Sequence, residues 1–135
     1  MTKIKFNRRS RHQYKTRVSM FTQLLDQNEQ LFIREWNKLV SGWIGEIHRR
    51  RKNWQEGEDF HNEKNHDGVV ERGRTLIFGV VELAEMYLEA CGEKAEKLVG
   101  DATRQVLTNE CSKAVAMVVD GRLNGNLTHH WYRWI

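Results

Sequence analysis

The chain has 135 residues, with 22 Lys+Arg against 18 Asp+Glu for a net charge of +4, and is 39 % apolar and 30 % charged. This size and balance suit one globular domain with a core of its own and exclude a disordered or fibrous chain. No apolar run approaches the ~18 residues of a membrane span and no apolar signal core opens the chain, so a cytoplasmic protein without membrane contact is expected.

The charge is unevenly placed. Residues 1–18 carry Lys3, Lys5, Arg8, Arg9, Arg11, Lys15 and Arg17 and no acid, so a +7 segment is attached to a body of net −3. The segment reads as a flexible basic N-terminal arm, with residues 19–135 as a single helical domain. Between Val18 and about Trp54 the apolar positions Met20, Phe21, Leu24, Leu25, Leu31, Phe32, Trp36, Leu39, Val40, Trp43, Ile44 and Ile47 recur mostly at intervals of three and four. That period is one face of a helix. A continuous helix here has about 36 residues and spans about 54 Å. The alternative is a break near Gly42 and Gly45, each of which costs a helix about 1 kcal/mol.

Residues 55–68 hold one large apolar residue, Phe60, and end on Asp67-Gly68, the composition of a polar connection. A second helix carries Val69, Val70, Leu76, Ile77, Val80, Val81, Ala84, Tyr87, Leu88 and Cys91 in phase, and stops at Gly92, which suits a left-handed position after a helix. Residues 93–99 read as a short helical turn ending at Gly100. Asp101 then caps a third helix, with Val106, Leu107, Cys111, Ala114, Val115, Val118 and Val119 in phase up to Asp120-Gly121. With no strand pair and no repeat, the fold class is all-α: a bundle of three main helices followed by an aromatic C-terminal tail. Cys91 and Cys111 sit in apolar segments without CxxC spacing, as reduced core thiols do.

Helices two and three are too short to cover the stripe of the first. This predicts a homo-oligomer with Trp36 and Trp43, seven residues apart, on a seam between copies. If helix one breaks at its glycines, its two halves fold back into the chain's own core instead. In the tail, Trp131, Tyr132 and Trp134 surround Arg133. They either dock on the bundle or face a partner, since Trp, Tyr and Arg dominate such contacts.

The strongest functional pattern is the arm. In KIKFNRRSRHQYKTR, cations that neutralise phosphates alternate with Phe6, His12 and Tyr14, which can stack on bases. The segment resembles in kind the arginine-rich RNA-binding peptides of phage antitermination and viral coat proteins, which implies nucleic-acid contact and ordering on binding. A second cluster, His48-Arg49-Arg50-Arg51-Lys52, either extends that phosphate-binding surface or offsets the dipole at the end of helix one. Small basic bundles of this design also resemble the accessory proteins of diversity-generating reverse transcriptases.

Glu82, Glu85 and Glu89 share one side of helix two. With Asp101 opening the next helix, they resemble the all-α nucleotide pyrophosphohydrolases of the MazG and dimeric dUTPase type. That resemblance implies a magnesium ion held against a triphosphate by Glu82, Glu85 and Asp101. The family's glutamate three residues before Asp101 is Leu98 here, and a hard cation needs several well-placed oxygens. His61 and His66 lie in the acidic connection without metal-ligand spacing. No Gly-rich phosphate loop or nucleophile elbow stands out.

The sequence therefore predicts a non-enzymatic protein that binds nucleic acid or joins a nucleoprotein complex, without a cofactor. Its contacts are expected from Lys3, Lys5, Arg8, Arg9, Arg11, Tyr14, Lys15, Arg17, Arg49, Arg50, Arg51 and Lys52. Trp36, Trp43, Trp131 and Trp134 are expected at a partner or oligomer interface. The alternatives are a small phage or mobile-element protein that inhibits or bridges a protein partner through Trp-rich surfaces, and the magnesium-dependent hydrolase.

Overall fold

The computed structural model describes residues 8–57 and 66–123, with side chains for 8–57 and 68–120. Within these, all residues but Asn28, Gly57 and Gly92 are helical. The elements in chain order are α1 (Arg8–Gln27), α2 (Glu29–Glu56), α3 (His66–Cys91), a one-turn α4 (Glu93–Ala95), a π-helical turn (Glu96–Gly100) and α5 (Asp101–Leu123). The all-α bundle expected from the apolar period is what forms.

Three helices, α2, α3 and α5, pack mutually, and α1 packs on α2 and α3. The Tyr14 hydroxyl donates to the Met86 carbonyl at 3.2 Å, and Lys94 Nζ donates to the Leu25 carbonyl at 2.8 Å. Both sets of positions advance together, so α1 runs parallel to α3. Its inward stripe is Tyr14, Val18, Phe21 and Leu25, spaced four, three and four.

In the N-terminal half two boundaries differ from the sequence expectation. The basic segment and the body, expected to part at residue 18, are continuous in α1, which is helical from Arg8. The density of cations hides that the apolar stripe already begins at Tyr14. The expected 36-residue helix is interrupted at Asn28 and not near Gly42 and Gly45. Asn28 takes an extended backbone (φ −159°, ψ 93°), and its side chain accepts from the Leu31 N–H, capping α2. Asparagine supplies that acceptor; glycine does not. Beyond it α2 folds back along α1, so that Phe21 meets Phe32 and Trp36 edge-on, with centroids 5.6 and 5.2 Å apart.

Gly42 and Gly45 lie on the exposed side of an unbroken α2, and a Cβ at either would meet nothing within 4 Å. Gly42→Ala and Gly45→Ala should therefore each raise stability by about 0.5–1 kcal/mol in urea denaturation, because only backbone entropy changes.

Gly92 has φ 98°, the left-handed turn expected after α3. Asp101, expected as a cap, is instead inside a helical run (φ −64°, ψ −44°), because the residues before it form the π turn. At the far end α5 passes through Asp120-Gly121 to Leu123.

The core is aromatic. Trp36 is fully buried, stacked against Phe32 and edge-on to Phe21, Trp43 and Tyr87. Its Nε1–H donates to Thr103 Oγ1 at 2.8 Å, the buried bond that ties α2 to α5. Trp43 is 5 % exposed and packs on Tyr87. Both rings assigned to a seam between copies thus fill the chain's own core. Folding α1 back at Asn28 supplies the cover that helices two and three alone lack. Cys91 and Cys111 are buried and unpaired, and burial pushes both thiols up to about 11. No helix among the described residues is long and apolar enough to cross a membrane.

Candidate nucleic-acid interface

With Tyr14, Val18, Phe21 and Leu25 turned inward, the helical rotation of 100° per residue fixes where the cations of α1 must point. Arg8, Arg9, Arg11, Lys15 and Arg17 are all exposed. The first acid of the chain is Asp26, so more than four turns of α1 carry positive charge alone. Arg8, Arg11 and Lys15, at i, i+3 and i+7, share one flank. Like charges at these spacings repel by a few tenths of a kcal/mol. The first turn of α1 also holds no acid to balance the helix dipole. Both strains are relieved by an anion. Lys3 and Lys5 lie outside the described residues.

Tyr14 was expected to stack on bases. It is packed edge-on against Tyr87, with ring centroids 4.8 Å apart, and its hydroxyl is bonded to Met86. Burial is the main cause of its raised pKa. Tyr14 is therefore a docking residue for α1.

The second cluster meets the first at one end of the bundle. Arg50 Nη1 donates to the Leu76 carbonyl at 2.6 Å. Counting back from the Tyr14–Met86 bond at 1.5 Å per residue places Arg8 about 9 Å N-terminal, level with Val80. The start of α1 and the end of α2 thus lie about one helical turn apart along α3. Within the cluster, Arg49 and Arg50 both pair with Glu46, and Arg51 donates to Gln55. Lys52 is exposed. Arg49 and Lys52 are the cluster's outward charges, while Arg50 and Arg51 are half-buried and hold the helix end together. His48 Nε2 lies 3.7 Å from Glu110.

The opposite end is acidic. Arg104 donates through Nε and Nη2 to Glu85 and through Nη1 and Nη2 to Glu96, and Asp101 lies 3.6 Å away. Hydrogen bonds from Arg104 hold the Glu96 carboxyl below its usual range. Glu96, Gly100 and Arg104 are four apart on one helix side. A Cβ at Gly100 would overlap the Glu96 carboxylate, so glycine lets that side chain lie across the π turn to the guanidinium. Glu85, Glu89, Glu93, Glu96 and Arg104 line an open cleft of about 350 Å³.

Arg104 and Glu96 were missed by sequence reasoning, although a Glu-x3-Gly-x3-Arg spacing was there to be read. They change the meaning of the acidic face: Glu85 serves a guanidinium, and Leu98 leaves no carboxylate where the hydrolase pattern has one. Among the described residues no group of three or more His, Cys, Asp or Glu side chains is arranged to hold a metal ion. Trp131, Trp134, His61, Phe60 and the histidines of the tail lie outside the described residues.

Fold and site together define a small helical bundle carrying an ordered basic helix on one side and, at one end, an acidic cleft in which Arg104 holds Glu85 and Glu96. A comparison with protein-family models finds no match, and neither do comparisons with curated proteins and solved structures.

Proposed function

We propose that the chain is a non-enzymatic nucleic-acid-binding protein, acting alone or within a nucleoprotein complex, with α1 as its phosphate-binding element. The observation that carries this reading is the docked helix, free of acid until Asp26, whose exposed Arg8, Arg9, Arg11, Lys15 and Arg17 stand on a body that is otherwise net negative. A ridge of fixed cations releases condensed counterions when it meets a phosphate backbone, which makes the affinity steeply salt-dependent. Arg49 and Lys52 extend the same electrostatic surface at the adjoining end of α2. The second reading, partner capture through Trp-rich surfaces, has lost Trp36 and Trp43 to the core.

The test is a salt titration of binding to nucleic acid by the full chain and by the triple variant Arg8→Gln, Arg9→Gln, Lys15→Gln. All three side chains are exposed, so the fold should persist. The slope of log affinity against log salt should fall by about 1 for each cation removed. Absence of binding at low salt, or an unchanged slope in the variant, overturns the proposal.

A further inference from the structure

We propose that the nucleic acid is double-stranded DNA and that α1 enters its major groove. This rests on the reading above and deepens it.

Three features of α1 separate duplex from single-strand binding. The helix is already formed and seated on α2 and α3, so it is a rigid ridge about 30 Å long. It needs no ordering on contact. Second, proteins that hold single strands without regard to sequence use aromatic rings as stacking platforms. Among the described residues no Phe, Tyr or Trp ring is exposed; Tyr14, the one such ring on the basic part of α1, is spent on Tyr87, which leaves the His12 imidazole as the exposed ring of that helix. Third, the outward side of α1 is arranged as a crest between two flanks. Taking Tyr14 as the inward direction, His12, Thr16 and Gln23 fall on the crest together with Arg9, with Arg8 and Lys15 on one flank and Arg17 on the other; all seven are exposed.

That cross-section matches a groove bounded by two phosphate backbones. Cations on each flank reach the strands, and the polar crest faces the base edges. Gln and Thr side chains supply hydrogen bonds that read those edges, and His has both a donor and an acceptor. An α-helix is about 10–12 Å across with its side chains, and the B-DNA major groove is about 12 Å wide. The major groove of an A-form RNA duplex is too deep and narrow for side chains to read. The geometry therefore selects duplex DNA.

The experiment compares binding of the full chain to labelled oligonucleotides of one sequence as duplex DNA, duplex RNA and single-stranded DNA, at matched salt. Duplex DNA should bind at least about tenfold more tightly than the other two. Binding should be lost when glucosylated hydroxymethylcytosine fills the major groove, and should survive a minor-groove competitor. The exposed-site variant Thr16→Ala with Gln23→Ala should weaken duplex binding while leaving the salt slope unchanged, because it removes crest contacts and no charge. Equal or tighter binding to single strands or to duplex RNA, or indifference to the filled groove, overturns this inference and leaves the general reading standing. No binding to any of the three overturns both.

Discussion

Trp36→Ala is expected to cost about 3–5 kcal/mol, the range for removing a large buried aromatic side chain. Trp36 is fully buried and touches Phe21 on α1, Phe32 and Trp43 on its own helix, and Tyr87 on α3. The cavity would therefore open where three helices meet. Its indole N–H is also the donor to Thr103, a residue only 3 % exposed. Thr103→Val preserves shape but leaves that donor unpaired, and should cost about 1–3 kcal/mol by itself. Since both variants remove the same bond, their effects should not add. Urea denaturation of the two single variants and the double variant measures this. Additive losses would show that the bond contributes nothing. A small loss for Trp36→Ala alone would mean that the ring is not at the centre of the fold.

Gly73→Ala is the second large effect. Gly73 of α3 is buried directly beneath the Trp54 indole of α2, and an added Cβ would overlap the ring atoms Cδ2, Cε2 and Cζ2. Glycine is required there by close approach and not by backbone conformation, since its φ is ordinary. Alanine, normally the better helix former, should destabilise by about 1–3 kcal/mol, as overpacking does. The contrast with Gly42 and Gly45 is the sharper test: the same substitution on open surface should stabilise. A stabilising Gly73→Ala would mean that Trp54 is not seated on α3. Trp54 and Gly73 adjoin the basic end of α2, so this contact also sets how Arg49 and Lys52 are carried relative to α1.

Much of the fold was legible because burial imposes a period. The stripes from Phe21 to Ile47, from Val69 to Cys91 and from Leu107 to Val118 each predicted a helix, and each residue named here is buried. The stop at Gly92 was readable because only glycine adopts its positive φ without strain. The break at Asn28 was harder, because the apolar stripe crosses it nearly in phase and the two glycines looked weaker. An N-cap acceptor redirects a chain more effectively than two exposed glycines disrupt a helix whose other face is buried. At the site, the sign and place of the charge were legible from residues 1–18, but the role of Tyr14 was not. A ring amid arginines has the same sequence signature whether it meets a base or Tyr87.

By itself the sequence determined the helical class, the buried thiols at Cys91 and Cys111, and the concentration of positive charge ahead of Asp26, since all three follow from composition and local spacing. Only the tertiary structure decided that the basic segment from Arg8 onward is a docked helix, that Trp36 and Trp43 face inward, and that Glu85 and Glu96 are held by Arg104. These depend on which faces meet across the bundle, over separations such as 72 residues from Tyr14 to Met86 and 67 from Trp36 to Thr103. Periodicity along one helix carries no information about which partner covers it.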